Sequence, residues 1–435
     1  MIAAFTATLL SLALAQQQPG SSGADAAAAS TPVSRGLDEP VPQGIPNLPT
    51  VGTSSGATRG VFLDVALLAE VRARTLNVTD TATTWGFDLE LTPGIALEVG
   101  SPSFTLSLGY APRLTVPFNV DNFSLAVLNQ ATLRAAWRVD AFWTVTALGV
   151  FVVGDYSQLI PASTPGGAGP PPPIQNPVRS FQTYPYVGID TWLRVDGLLS
   201  ARSRIRLAGG YFDVGGIGTA GQANQPRTWG PQAEAEFAWD ASRAATLTTT
   251  AAAQDWMMVG DYSIVLATLT EGWRHSWTSE FGTTLSAGAG ISNRDVESRT
   301  AAGHLVPLAS VGLDFHQESR QPLHFALDAF LAPYADTYLR IPYQRFTISG
   351  SIDWRPSDAW RVGASLSVTL APYSVRAPES YGTAGLSASF APVQFLILSA
   401  GGFTQSQFQG GTAGVGAFRQ WTTYLSLALR DRFSL

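Results

Sequence analysis

The four histidines are the side chains of this sequence best suited to acid–base or metal chemistry. None of them lies in a metal-ligand or nucleophile motif. A hydrolase needs an acid, a base and a nucleophile that converge on one point, and the only candidate cluster is His304 with Asp295 and Glu297. The chain has no cysteine, which excludes thiolate metal sites and cysteine nucleophiles. We therefore predict no catalytic residue, no metal site and no cofactor.

The composition argues against a soluble globular surface. Charged residues make up only 13% of the chain, about half of the usual share. The mean hydropathy is +0.11, yet beyond the N-terminus no stretch approaches the roughly 18 consecutive apolar residues of a spanning helix. The formal net charge is -6 and no basic cluster occurs, so nucleic acid is not an expected partner.

From residue 59 onward, apolar and polar residues alternate over segments of about 10 to 16 residues, a length that spans a bilayer in a tilted strand. Phe346, Ile348 and Trp354 share one parity, and Thr347 and Asp353 share the other. Successive side chains of a strand point to opposite faces, so one face meets lipid and the other meets water.

About 18 such segments occur, one of which runs from 103 to 116. They predict an all-β protein, a transmembrane antiparallel up-and-down β-barrel of about 18 strands that fills residues 59 to 435. A large soluble β protein such as a propeller would need more surface charge and a recognisable repeat.

The connections alternate between short turns and long loops. Short turns are predicted at 139 to 141, 239 to 242, 355 to 358 and 391 to 392, and a long loop at 213 to 226. Outer-membrane barrels place short turns on the periplasmic side and long loops outside. Tryptophans cluster beside the turns and predict a periplasmic aromatic girdle, made of Trp137, Trp239, Trp273, Trp277, Trp354 and Trp360.

The parity of each strand assigns a set of polar and charged residues to the inner face of the barrel. This predicted lumen lining comprises Arg72, Asp88, Glu90, Arg134, Arg138, Asp190, Trp192, Arg194, Glu234, Glu236, Asp328, Arg345, Asp353 and Arg361. Acids and bases are roughly balanced, and a pore selective for a polyanion should carry an excess of cations. Inward aromatics at Tyr186, Trp192, Phe330 and Tyr424 either line a path for sugar rings or fill space between neighbours.

Two segments precede the predicted barrel. Residues 1–15 form a short apolar run that ends in Ala13-Leu14-Ala15, which is the cleavage pattern of a secretory signal peptide. Residues 16–58 are rich in Pro, Gly, Ala and Ser and lack periodicity, which predicts a flexible periplasmic tail.

Over residues 59 to 435 the sequence resembles bacterial outer-membrane β-barrel proteins, and within them the plug-less 18-stranded porins, which include polysaccharide-export barrels of the alginate type. Such barrels end in a strand with a C-terminal aromatic residue, a role that Phe433 would take here. The resemblance implies the outer membrane of a Gram-negative-type bacterium as the location. It implies outer-membrane lipid and the barrel-assembly machinery as partners.

The sequence therefore predicts a porin-like outer-membrane channel rather than an enzyme. Its cargo would be a hydrophilic solute, and an exopolysaccharide of neutral or weakly charged type is one candidate. The alternative is a structural barrel that anchors a periplasmic or surface assembly for secretion or motility through the tail. A periplasmic export or scaffold protein is a further expected partner.

Overall fold

The computed structural model describes residues 60–78, 84–118, 125–157, 183–224, 226–260, 262–294, 304–317, 321–336, 341–370, 380–393, 395–409 and 418–435. The predicted signal peptide at 1–15 and the predicted tail at 16–58 lie outside these residues and stay predictions.

Eighteen antiparallel strands form one sheet. The first nine are β1 Gly60–Val78, β2 Thr84–Gly100, β3 in two pieces at Phe104–Tyr110 and Arg113–Pro117, β4 Ala126–Arg138, β5 Trp143–Ser157, β6 Thr183–Ser200, β7 Ser203–Gly216, β8 Thr228–Asp240 and β9 Ala245–Met258. The others are β10 Tyr262–Ser276, β11 Phe281–Ser292, β12 His304–Gln317, β13 Leu323–Asp336, β14 Ile341–Ser357, β15 Trp360–Leu370, β16 Ser380–Val393, β17 Leu396–Gln409 and β18 Phe418–Ser434.

The two pieces of β3 are one strand. Ile95 of β2 pairs with Tyr110 and Asp88 of β2 pairs with Pro117, so a step of seven residues along β2 is matched by a step of seven along β3. Pro112 lies at the gap between the pieces and has no N–H to donate to the sheet. The strand predicted at 103 to 116 is therefore confirmed, with a proline interruption.

The sheet closes on itself through its first and last strands. β1 pairs with β2 on one side and with β18 on the other, in a register that runs from Phe62 opposite Ser434 to Val78 opposite Phe418. Each of the other strands pairs with its two neighbours in the chain. This is a closed up-and-down barrel of eighteen strands, and the predicted fold class is confirmed.

Short turns join each even-numbered strand to the next odd-numbered one. In the turn after β4, the Asp140 carboxylate accepts hydrogen bonds from the backbone N–H groups of Phe142 and Trp143, at 2.7 and 2.8 Å. A short polar side chain that bonds its own backbone favours a tight turn. This explains why the predicted turn at 139 to 141 forms.

Two predicted turns are displaced. β14 continues through residues 355 to 357 and β16 continues through residues 391 to 393, each with a register shift beside a proline, Pro356 and Pro392. Proline removes a ladder hydrogen bond and is tolerated at bulges. The prolines therefore mark bulges near the strand ends rather than the turns themselves.

The loop between β7 and β8 contains a seven-residue helix, α1 Gly218–Asn224, that the predicted long loop at 213 to 226 did not include. It contacts β6 and β7, and Gly221 packs against Gly216 so closely that neither has room for a Cβ atom. In the described part of the chain, no helix has the length and apolar character needed to cross a membrane.

The outer face of the barrel is apolar. Its exposed side chains include Val71, Phe151, Leu269, Leu366 and Leu425, which share the outward parity of their strands. The residues that alternate with them are polar or small and are less exposed. An apolar exterior on a sheet without a free edge suits a hydrocarbon environment, because apolar atoms contact lipid and each strand pairs its backbone groups with those of two neighbours.

We expect Leu269→Arg to destabilise the barrel. Leu269 lies at the centre of β10 and its side chain is 55% exposed on the outer face, where an arginine at the bilayer midplane costs about 2–4 kcal/mol. The matched control is Thr268→Arg, one residue away on the inner face, for which we expect a smaller loss. The free energy of unfolding in phospholipid vesicles, from urea titration, measures both. Equal losses would contradict the assignment of the two faces.

Candidate channel lumen

The structure places all the residues of the predicted lumen lining on the inward parity of their strands. The assignment is fixed by the strand pairings and by the exposed apolar side chains of the opposite parity. Their part in a pore stays a prediction. Many of these residues form ion pairs on the inner face.

The first cluster of charges lies on β1, β2 and β3. The Arg72 guanidinium donates to the Glu90 carboxylate and lies 3.3 Å from Glu70. Arg113 Nε donates to the same Glu90 at 2.5 Å. Arg72 and Glu90 are 1% and 0% exposed. Two carboxylates, Glu70 and Glu90, thus balance two guanidinium groups inside the barrel, where an unpaired charge would be very costly.

Ion pairs continue along β1 towards both ends. Arg74 pairs with Asp88 on the loop side. On the turn side, Arg432 of β18 reaches Glu98 of β2 at 2.8 Å, so it crosses over β1, the strand that lies between them. Asp64 of β1 lies 3.4 Å from Arg430. These pairs link the first, second and last strands across the seam where the barrel closes.

A second cluster lies on the turn side of β6, β7 and β8. Arg194 Nε and Arg206 Nε both donate to Asp196, at 2.5 and 2.9 Å. Arg206 also lies 4.0 Å from Glu236. These side chains are part-buried. As in the first cluster, one carboxylate accepts hydrogen bonds from two arginines. Nearer the loops, Gln232 donates to Asp190 at 2.7 Å.

A third cluster lies on the turn side of β12 to β15. Arg361 Nε donates to Asp353 at 2.8 Å in a two-point contact. His324 Nε2 lies 2.7 Å from Asp314. The inner face therefore carries many charges that are compensated locally. Paired charges of this kind add little net field along the barrel axis for a charged polymer to follow.

Part of the inner face is apolar, which the sequence analysis did not predict. On the loop side of β4 to β10, buried side chains pack against one another, and Tyr186 and Ile264 have no exposed surface. The cluster comprises Leu128, Val152, Tyr184, Tyr186, Phe212, Val214, Trp256, Met258, Ile264 and Leu266. A signal was present, because segments such as Ile264-Val265-Leu266 are apolar at both parities. Tyr186 was predicted as an inward aromatic, and here it serves packing.

The predicted girdle tryptophans lie near the turn ends of their strands. Trp137, Trp239, Trp277, Trp354 and Trp360 are exposed on the barrel exterior. Trp273 is less exposed and stacks on His275, with ring centroids 5.3 Å apart. Ring positions of this kind suit the membrane–water interface.

The structure brings no catalytic or metal constellation together among the residues that it describes. No group of three or more His, Asp or Glu side chains there is arranged to hold a metal ion. His304 begins β12 and is exposed. Its predicted neighbours, Asp295 and Glu297, lie outside the described residues.

Comparison with known proteins gives the family. Residues 54–390 match the model of the EpsX exopolysaccharide export family. The chain belongs to that family. The matched span begins just before β1 and ends in β16, and it confirms the resemblance to polysaccharide-export barrels that the sequence pattern suggested. No curated protein matches this chain.

Several solved structures are similar to this family member at low sequence identity. OccK11 (OpdR) of Pseudomonas aeruginosa has a TM-score of 0.44 and 11% identity, covering 86% of this chain and 98% of that one. OccAB4 of Acinetobacter baumannii has a TM-score of 0.45 and 10% identity, covering 87% and 99%. The siderophore receptor PirA of Pseudomonas aeruginosa has a TM-score of 0.43 and 8% identity, covering 87% and 82%.

We expect Glu90→Gln to be strongly destabilising. It leaves Arg72 and Arg113 buried without the carboxylate that both contact, and breaking a buried ion pair typically costs about 3–5 kcal/mol. The control is His324→Ala, which breaks the pair with Asp314, whose two side chains are 43% and 48% exposed, and should cost at most about 1 kcal/mol. Urea unfolding in vesicles measures both losses. A Glu90→Gln barrel as stable as the parent would show that the cluster is not held together by this carboxylate.

Proposed function

We propose that this chain is an outer-membrane channel through which an exopolysaccharide leaves the cell. The family match carries the proposal, because the matched family is one of exopolysaccharide export. The fold supports it in three steps, from the exterior of the barrel, from its size and from its inner face.

The exterior supports an outer-membrane location. The barrel is closed and apolar outside, its turns are short at one end, and most of its loops at the other end are longer. Bacterial outer-membrane barrels share this arrangement, with short turns in the periplasm. The N-terminal end of β1 and the C-terminal end of β18 then both face the periplasm.

The size supports passage. Barrels of 16 to 18 strands are wide enough to leave an aqueous channel, whereas the interior of an eight-stranded barrel is filled by side chains. The inner face described above is polar along most of β11 to β18 and β1 to β3. A hydrated polymer would therefore meet a surface that can replace part of its hydration by hydrogen bonds.

We propose two partners, and both would act at the turn side of the barrel. Phe433 lies near the turn-side end of β18, exposed on the outer face, which fits a strand that the barrel-assembly machinery reads. A periplasmic export protein would deliver the polymer to the turn side of the barrel. The anchoring alternative was based on residues 16–58, which lie outside the described residues.

Cysteine accessibility tests the channel directly, since the native chain has no cysteine. Ser351 and Ile352 are neighbours on β14 whose side chains face the interior and the lipid, respectively. In planar bilayers we expect a charged methanethiosulfonate reagent to lower the current through Ser351→Cys and to leave that through Ile352→Cys unchanged. A current that responds equally in both variants would mean that ions do not pass through the barrel interior. No current in either variant or in the parent would contradict the channel.

A further inference from the structure

Between their charged ends, the inner faces of β14 to β18 are dominated by hydroxyl groups. We name this surface the hydroxyl wall. It comprises Thr347, Ser349, Ser351, Ser365, Ser367, Thr369, Thr383, Ser387, Ser389, Ser399, Thr422 and Ser426. Among the described inward residues between these positions, none is charged: they are Gly385, Gly401, Phe403 and Tyr424. Arg361 and Asp353 pair with each other at its turn-side border.

The strand registers make the hydroxyl wall continuous. Ser349 of β14 lies opposite Ser367 of β15, which lies opposite Thr383 of β16. Nearer the turns, Ser389 lies opposite Ser399, and Ser399 lies opposite Ser426. Side chains directly opposite each other in a sheet are about 5 Å apart. The wall therefore offers rows of hydroxyl groups at short, regular intervals across five strands.

Two hydroxyl groups of the wall are buried and make no hydrogen bond to the described residues. Ser399 and Ser426 are each 3% exposed, and within the described part of the chain neither Oγ atom has a hydrogen-bond partner. The same is true of the side-chain oxygen of Gln420, at the loop side of β18. Buried polar groups in folded proteins are nearly always paired with protein or with ordered water. At 3% exposure, a ligand inside the barrel reaches these two hydroxyl groups only when neighbouring inner-face side chains move, and one that brings its own hydroxyl groups would then satisfy both.

An aromatic ring lies within the hydroxyl wall. Tyr424 of β18 pairs with Gly401 of β17, and a Cβ atom at Gly401 would lie 2.7 Å from the tyrosine ring and 2.6 Å from the Leu386 carbonyl oxygen. Glycine is therefore what lets the ring lie across β17. A sugar ring presents an apolar C–H face and a rim of hydroxyl groups. An aromatic face among hydroxyl groups complements both.

The charged side chains of the wall strands lie at the borders of the hydroxyl wall, and several charges elsewhere in the barrel are held in ion pairs. On the neighbouring β1 to β3, Arg72 and Arg113 are balanced by Glu70 and Glu90, and Arg74 pairs with Asp88. Arg345 marks the loop-side border of the hydroxyl wall and the Asp353–Arg361 pair its turn-side border. Between these borders, no described residue of the wall is basic, so a polyanion meets no cation there.

We infer that the hydroxyl wall is the track for the exported polymer and that it selects an uncharged polysaccharide over an anionic one. This inference rests on the proposed export function. It assigns Ser399, Ser426 and Tyr424 to contact with the sugar. In this account the ion pairs of β1 to β3 stabilise the barrel seam and do not bind cargo.

The test is single-channel recording in planar bilayers with maltohexaose as the neutral probe and hexagalacturonate as the anionic probe. We expect maltohexaose to produce resolved blockades of the parent channel, and hexagalacturonate to produce briefer ones. In Ser399→Ala/Ser426→Ala, the residence time of maltohexaose should fall about tenfold, as expected for losing two hydrogen bonds. Open-channel steps in the same recordings show that the variant has folded.

A matched control exists six strands away around the barrel. Ser286 and Ser310 are inward, buried and opposite each other, and their hydroxyl groups bond to one another at 2.6 Å. Ser286→Ala/Ser310→Ala removes the same atoms from a satisfied pair and should leave residence times unchanged. If the double variant on the wall does not refold, Ser389→Ala in the same cross-strand row takes its place, with a smaller expected fall.

The outcomes separate the two claims. An open parent channel with equal residence times in the wall variant and the control variant would overturn the hydroxyl wall as the track and leave the channel standing. Longer blockades by hexagalacturonate than by maltohexaose would overturn the selection for uncharged polymer. A silent parent channel would overturn the proposed export function and this inference with it.

Discussion

Backbone hydrogen bonding in hydrocarbon is the constraint on which the rest of this structure depends. Lipid cannot satisfy a peptide N–H or C=O group, so a sheet in a membrane must have no free edge. The pairing of β1 with β18 removes the edge, over a register that runs from Phe62 and Ser434 to Val78 and Phe418. The ion pairs from Arg430 and Arg432 to Asp64 and Glu98 reinforce this seam from inside.

Closure divides every strand into an outer and an inner parity, and function follows from that division. Side chains of the outer parity are mostly apolar and contact lipid. The inner parity is free to differ from strand to strand, and it does so in three ways: charge pairs on β1 to β3, apolar packing on the loop side of β4 to β10, and hydroxyl groups on β14 to β18. This asymmetry leaves one uncharged polar surface facing the interior, and we propose that the polymer follows it.

Much of this fold could be predicted from the sequence because period-two alternation determines both strand position and facing. The single strand predicted at 103 to 116 forms despite its break at Pro112, since alternation persists through the break. The turns predicted at 355 to 358 and 391 to 392 were displaced because a proline fits a bulge as well as a turn. The inward placement of Arg72 and Glu90 followed from parity, but their shared contact with Arg113 depends on a register between strands that parity alone does not give.

The apolar cluster around Tyr186 and Ile264 could not be predicted from alternation, for a related reason. Where both parities are apolar, alternation does not distinguish a lipid-facing residue from one packed inside the barrel. The helix Gly218–Asn224 was missed because it is short and has no apolar periodicity of its own. Both features belong to the loop side of the barrel, where neighbouring strands and loops determine the packing.

The central claim is that the interior of this barrel is a path for an uncharged polysaccharide. The most direct measurement is release of fluorescently labelled neutral glucan fragments of graded length from proteoliposomes containing the purified full chain. The account predicts release of fragments far longer than the bilayer is thick, because a linear polymer threads through the barrel end-on. Retention of all fragments, together with retention of small ions, would contradict it.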